Sequence, residues 1–219
     1  MRQIPEATVA RLPVYLRSLT DLDNDQHITI SSEQLAESVG VNAAKVRKDL
    51  SYLGSFGTRG VGYDVKFLIN QMSRALGLNR DCPVIIVGLG NLGLALSNYG
   101  GFEERGFPVA ALVDSDPTKI GRSIAGHTVV GLDSLSCIVA EHPNVIGVIT
   151  TPSSAAQDVA DALGAAGVRS ILNFAPVVIN SPTGVSVRKV DLAVELQILS
   201  FYDQHRPRTA RIPDVAKGA

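Results

Sequence analysis

The run Val84-Ile85-Ile86-Val87 is wholly apolar and β-branched, and it passes without a break into Gly88-Leu89-Gly90-Asn91-Leu92-Gly93 and then a helical pattern through Tyr99. Strand, glycine turn and helix in that order narrow the fold more than any other stretch of the chain. Gly88 permits the tight turn, Gly90 lets the backbone approach a pyrophosphate, and Gly93 allows a helix to pack closely on a strand, while amides at the helix start face negative charge. The next strand, Val109 to Val113, ends at Asp114, 21 positions beyond Gly93, where a carboxylate can bind the hydroxyls of an adenosine ribose. A glycine motif alone is weak; in this context it predicts a dinucleotide site. Asp114 would repel a 2′-phosphate, and Ser115, Asp116 and Pro117 offer no arginine to receive one, so NAD+ or NADH is expected in preference to the phosphorylated dinucleotides.

Further apolar segments, Thr128 to Val130, Val145 to Ile149 and Val168 to Leu172, with helical stretches between them, extend the pattern into a doubly wound α/β domain. Ligands meet such sheets at the carboxyl ends of strands. That places Thr150, Thr151 and Pro152, and at the next strand Asn173 and Phe174, beside the crevice where a nicotinamide would lie, although any single one could equally be an ordinary loop residue. An enzyme would need a proton donor or nucleophile there. His27, His127, His142 and His205 have no carboxylate or cysteine paired with them in sequence, so no catalysis is expected. Cys82 and Cys137 show neither metal-ligand spacing nor a disulfide framework, which fits a reducing cytoplasm and no metal. Cys137 falls in an apolar helical pattern and reads as a small core residue.

Residues 1–80 read instead as helices with one glycine-rich loop, joined to the rest by the short polar stretch Asn79-Arg80-Asp81. Over all 219 residues, 20 Lys plus Arg nearly balance 21 Asp plus Glu, so any basic surface must come from local clustering. Lys45, Arg47, Lys48 and Arg59 supply it, opposed in that stretch only by Asp49. Ser31-Ser32-Glu33-Gln34 has the form of a capping box and Gly40 stops the helix it starts; Asn42 then caps a second helix from Ala43 to Leu53. On that second helix Val46, Leu50 and Leu53 line one side, Lys45, Arg47 and Lys48 face outward, and Ala43 and Ala44 keep its start slim enough for a groove. Gly54 to Tyr63 spends four glycines on ten residues, which suits a wing with Arg59 at its tip. A lone basic cluster is commonly a solvated face; capped helices, a tight turn and a Gly-Arg-Gly loop in sequence make a winged helix-turn-helix that reads DNA. The start, with Arg2, Pro5 and Glu6, lacks the apolar run of a signal peptide, and no stretch has transmembrane length.

Near the end, Asp191 to Gln204 reads as a helix with two apolar stripes, Leu192, Leu196 and Leu199 on one and Val194, Ile198 and Phe201 on the other. Such a helix is expected to be buried on two sides, either as a central core helix or against a partner subunit. Asp191 at its start should have a specific partner.

Taken together, Tyr15-Leu16-Arg17, Ser31 to Leu35, Val46 to Tyr52, Gly57 to Tyr63, the glycine turn at Gly88 to Gly93, and Val190-Asp191-Leu192 make the chain resemble the Rex-type redox-sensing transcriptional repressors over nearly its whole length. That resemblance implies a homodimer: a winged-helix DNA-binding domain at 1–80, a Rossmann NAD(H)-binding domain at 81–190, and a C-terminal helix at 191–206 swapped into the partner subunit. Operator DNA, double-stranded and palindromic, would be bound by the free or NAD+-bound protein and released by NADH, controlling respiratory and fermentative genes. Arg47 and Lys48, with Lys45 and Tyr52 on the same helix, would serve the major groove and Arg59 the minor groove. Gly88, Gly90, Asn91, Leu92, Gly93 and Asp114 would hold the dinucleotide, and Asp191, beside Leu192, would exchange partners between Arg17 and Tyr99. Residues 207–219 fall beyond the resemblance and are expected to be disordered. Two rivals remain open: an NAD-dependent oxidoreductase with a helical accessory domain, and a coenzyme A-binding module, which the Ile149 to Pro152 loop also suits.

Overall fold

The computed structural model describes residues 4–54, 57–58 and 60–205. Arg59 and the tail 207–219 lie outside them. The chain divides into two compact units, Met1–Asp81 and Cys82–Ala219.

The first unit begins with a short helix α1 (Glu6–Val9) and α2 (Leu12–Asn24), followed by the two-residue strand β1 (Thr29–Ile30). Helix α3 (Ser32–Val39) starts where the Ser31 hydroxyl accepts from the Gln34 amide at 3.1 Å and the Gln34 side chain accepts from the Ser31 amide at 2.9 Å. This reciprocal cap satisfies two amides that a helix start leaves unpaired, a contribution of about 1 kcal/mol. Gly40, at φ +71°, ends α3 in a conformation that costs glycine little. Asn42 then accepts from the Lys45 amide at 2.8 Å to open α4 (Ala43–Tyr52), whose Val46 and Leu50 are fully buried against Leu12, Tyr15, Leu19, Leu35 and Leu68. The glycine-rich segment returns as β2 (Tyr63–Asp64), antiparallel to β1, with Thr58 and Gly62 bridged behind it. Gly62 has φ +94° and lies so close to the Ile30 carbonyl that a Cβ would collide with it. Asp64, which accepts from the Phe67 amide, caps α5 (Val65–Leu76), and Gly77 ends it.

The second unit is a seven-stranded sheet. Its strands are β3 (Val84–Val87), β4 (Val109–Val113), β5 (Ser123–Ile124), β6 (His127–Val130), β7 (Ile146–Ile149), β8 (Ser170–Asn173) and β9 (Ser186–Lys189). They lie in the order β5-β6-β4-β3-β7-β8-β9, and every pairing is parallel except that of β5 with β6. Without the edge strand β5, this is the doubly wound order in which the chain starts at the centre, builds one way and then crosses back. All four residues of β3 are buried, as a central strand covered on both faces requires. The helices are α6 (Asn91–Ser97), α7 (Leu135–Glu141), α8 (Ser153–Ala165) and α9 (Leu192–Gln204). Between β4 and β6 the connection is made of turns and β5 instead of a helix: Pro117, Gly121 (φ +84°) and Gly126 (φ +80°) break up a segment too short for one.

Two expectations about packing change. Cys137 is exposed, because α7 buries Leu135 and Val139, four apart, and a residue midway between them faces outward. The central-core reading of α9 also falls: no residue of this helix is buried, and Leu192, Leu196, Leu199, Phe201 and Tyr202 are each more than half exposed.

Candidate functional site

The first unit presents α4 as a charged ridge. Lys45, Arg47 and Lys48 are exposed, Tyr52 is half-buried at the C-terminal end, and the apolar face is fully covered. Lys45 and Lys48 have no ion-pair partner among the described residues. Arg47 has one: its guanidinium donates to the Glu33 carboxylate and the Ser32 hydroxyl, both at 2.9 Å. Asp49, which sequence alone placed among these cations, belongs elsewhere. It is 1% exposed and accepts four hydrogen bonds, from the Thr8 hydroxyl (2.9 Å), Arg11 Nε (2.7 Å), Arg11 Nη2 (2.8 Å) and the Tyr15 hydroxyl (2.9 Å). Burial alone would raise the Asp49 carboxyl, but the hydrogen bonds from Arg11, Tyr15 and Thr8 outweigh it and hold it below the ordinary carboxylate value. The Tyr15 hydroxyl is pushed up to about 12, first by burial and then by the carboxylate it donates to. Asp49 thus ties α4 to α1 and α2, and the positive face of α4 goes unopposed by it.

In the second unit, β3 and β7 are neighbours at the centre of the sheet, and their carboxyl ends meet at the switch point where crossovers diverge. Gly88, at φ +96°, sits against Thr151: a Cβ there would come within 2.7 Å of Thr151 Cγ2. Thr150 donates across to the Gly88 carbonyl at 2.6 Å. Gly93 packs so tightly on the Gly88 carbonyl that no side chain fits, whereas around Gly90 nothing lies within 4 Å of a Cβ position. Asn91 and Leu92 follow it, exposed at the start of α6. Of the three glycines, then, two are required by the fold and one opens onto free space. Thr151 Oγ1 is the one buried side-chain polar atom without a partner among the described residues, on the residue whose side chain lies against Gly88. An open glycine at a helix start, with an unpaired hydroxyl on the residue that packs against the same glycine turn, fits a pyrophosphate-bearing ligand.

Asp114 follows the end of β4, the strand paired with β3. It is 7% exposed; Oδ2 accepts from the Leu89 amide at 2.7 Å and from Lys119 Nζ at 2.9 Å, and Oδ1 accepts from the Asp116 amide at 2.9 Å. Burial pushes its carboxyl up, and these donors more than reverse the push. Asn173, 1% exposed, spends its side chain within its own loop, donating to the Val177 carbonyl and accepting from the Ala175 amide, both at 2.9 Å. It shapes the loop that carries Phe174, which is half-buried against the core beside β3. Pro152 is exposed at the N-terminal cap of α8.

Residues 3–51 match the family described as "Putative DNA-binding protein N-terminus", and residues 79–177 the family described as "CoA binding domain". The chain is 62% identical over 205 residues to the redox-sensing transcriptional repressor Rex of Streptomyces coelicolor, covering 94% of this chain and 80% of that protein. It belongs to the Rex family. The Rex of Desulfitobacterium hafniense is 53% identical over 199 residues, 91% of this chain and 95% of its own. Among solved structures, the Rex-family repressor RSP in complex with NAD+ and operator DNA superposes with a TM-score of 0.85 at 34% identity, covering 96% of this chain and all of that one, and RSP in complex with NADH does so at 0.81.

For the residues that the Rex resemblance linked in a switch, each unit shows its own part. Arg17 is exposed and lines a cleft of about 410 Å³ with Val14, Asp21 and His27. Tyr99, half exposed, meets Phe102 edge to face at 5.2 Å. Asp191 caps α9, accepting from the Ala193 and Val194 amides, and pairs with Lys189 at 2.9 Å, which holds its carboxyl below the ordinary value. None of the described helices is long and apolar enough to cross a membrane.

Proposed function

We propose that this chain is a homodimeric, non-enzymatic repressor of the cytoplasm that holds a palindromic operator when free or NAD+-bound and lets go when NADH binds, so that genes of respiration and fermentation follow the NADH/NAD+ ratio. The observation that carries this reading is the whole-chain likeness to a repressor solved with NAD+ and operator DNA together. Lys45 and Lys48, with no ion-pair partner among the described residues, serve the major groove, Arg47 joins them by leaving Glu33, Tyr52 flanks them, and Arg59 serves the minor groove. Two-fold symmetry would set the half-sites about one helical turn apart or a multiple of it.

Gly88, Gly90, Asn91, Leu92 and Gly93 would hold the pyrophosphate, Asp114 the ribose, and Thr150 to Pro152 with the Asn173-Phe174 loop the nicotinamide end. When bound, the dinucleotide supplies the signal, a ring that is cationic when oxidised and neutral when reduced. Phe174 and Pro152, apolar residues after β8 and β7, would supply that ring apolar surface, on which a charge is costly. Discrimination at this wall matters only if the state that cannot bind DNA prefers the reduced form, because equal affinity for both states shifts nothing. Asp191 would leave Lys189 and exchange between Arg17 and Tyr99 as the dimer closes, with α9, from Leu192 onward, swapped onto the partner subunit and its apolar surface covered there. The test is fluorescence-anisotropy binding to DNA enriched by selection, at stated salt, titrated with each dinucleotide. Retention with NAD+ and release by NADH is the expected result; no selective binding, or equal effects of the two, overturns the reading.

A further inference from the structure

The ribose end of the crevice is built differently from a bare carboxylate. Beyond Asp114 the chain turns on itself: the Asp116 carboxylate accepts from the Thr118 amide and hydroxyl, at 2.9 and 2.7 Å, and the Lys119 amide donates to the Asp116 carbonyl at 3.0 Å. This turn carries the Lys119 side chain back over the end of β4, so that Nζ lies 2.9 Å from Asp114 Oδ2 and 4.0 Å from Asp116 Oδ2. The Lys119 side chain remains 32% exposed, against 9% for that of Asp114. An ionised carboxylate has roughly four acceptor positions, and here the Leu89 amide, Lys119 and the Asp116 amide occupy three, leaving one on Oδ1. The ammonium has three donors, of which Asp114 takes one. What faces a ribose is therefore an acceptor and a donor side by side, a match for a vicinal diol whose hydroxyls both give and receive. Lys119 offsets one of the two carboxylates near it, so the repulsion of a 2′-phosphate that Asp114 would exert alone is reduced, with Asp116 Oδ2 still 4.0 Å from the ammonium.

The geometry points to Lys119 as a ligand of the ribose 2′ position and a latent 2′-phosphate site, masked by Asp114, that sets how strongly NADH is preferred over NADPH. This rests on the reading of the crevice as a dinucleotide site. Asp114 then does two jobs, accepting from the ribose and occupying the cation that would otherwise recruit a phosphate. Without the Asp114 carboxylate the ammonium keeps only the 4.0 Å approach of Asp116; without the ammonium the Asp114 carboxylate loses its counter-charge.

Calorimetric titration of the full-length protein with NADH and NADPH separates these roles in Lys119→Gln, Lys119→Arg, Asp114→Asn and the Asp114→Asn/Lys119→Gln double variant. Asp114→Asn should raise NADPH affinity relative to NADH by about tenfold, the worth of one hydrogen bond to a charged group, and the double variant should lose that gain. Lys119→Gln alone should widen the preference for NADH over NADPH while weakening NADH by a few-fold, and Lys119→Arg should keep the wild-type ratio. Because Asp114 also holds the Leu89 amide, its variant can lose the glycine turn; Lys119→Gln and Lys119→Arg leave that bond in place and decide the matter by themselves. If the wild type binds NADH and Lys119→Gln discriminates as it does, the role of Lys119 is overturned and the dinucleotide reading stands. A wild type that binds neither dinucleotide overturns both.

Discussion

The reading helix α4 and the glycine turn before α6 both end up facing a polyanion on the proposed reading, yet they are built by opposite means. On α4 the working groups are long side chains added to a covered helix, and the buried carboxylate beside them, Asp49, has all its acceptor capacity committed to Arg11, Tyr15 and Thr8. At the glycine turn the working groups are backbone amides laid bare by missing side chains, and the buried carboxylate beside them, Asp114, keeps one acceptor position in reserve. Function in the first unit should therefore be lost by removing atoms, and in the second by adding them.

The sharpest way to break that contrast is to place the same methyl group at two glycines. Gly93→Ala should destabilise the second unit by about 3 kcal/mol or more, since its Cβ runs into the Gly88 carbonyl, and calorimetric unfolding would register the drop. Gly90→Ala should fold normally, with nothing within 4 Å of the new methyl, but should hold DNA while ignoring NADH. Normal NADH release from that variant would show that the open face is not where the pyrophosphate lies.

Asp49→Asn comes next. It leaves Arg11 without its counter-charge and should cost the first unit about 3 kcal/mol, the lower end for breaking a buried pair because the Arg11 side chain is one-quarter exposed, with NADH affinity unchanged. Its pH signature has a definite sign. The Asp49 carboxyl is held below its ordinary value of about 3.9, so its stabilisation is complete above that pH and fades as acid carries the solution down through the folded value. The wild-type melting midpoint of this unit should fall below about pH 4, and part of that fall should vanish in Asp49→Asn.

Lys48→Ala should weaken operator binding by about 1–3 kcal/mol for a base contact, or lower the salt slope by about one for a phosphate contact, again with NADH affinity intact. The smallest effect belongs to Glu33→Gln. Its bond to Arg47 is exposed on both sides and worth about 0–1 kcal/mol, so freeing the guanidinium should tighten DNA binding by no more than a few-fold without moving the melting midpoint.

Much of this architecture is legible in one dimension because the features involved are local. The strand β3, the caps at Ser31 and Asn42, and the stops at Gly40 and Gly77 all depend on neighbours within a few positions. What escapes is long-range or hidden in a turn. Asp49 looked like a surface counter-charge because its partners lie 34 to 41 positions away. Lys119 is hidden in one dimension because it stands five positions past Asp114 and only the turn at Asp116 folds it back. The outward face of Cys137 is legible in the spacing, since Leu135 and Val139 claim the inner side of α7. Asn173 sits at a ligand-facing strand end, as its position suggested, but its side chain serves the loop.

Helix α9 has a thermodynamic implication. An isolated helix of 13 residues is marginal in water, and this one buries none of its side chains in its own chain. On the dimer reading its coil-to-helix transition and the association of subunits form one mass-action equilibrium. Dilution should then unwind residues 192–204 before either compact unit melts, so the abundance of the protein would become a second input alongside the redox state of the cell.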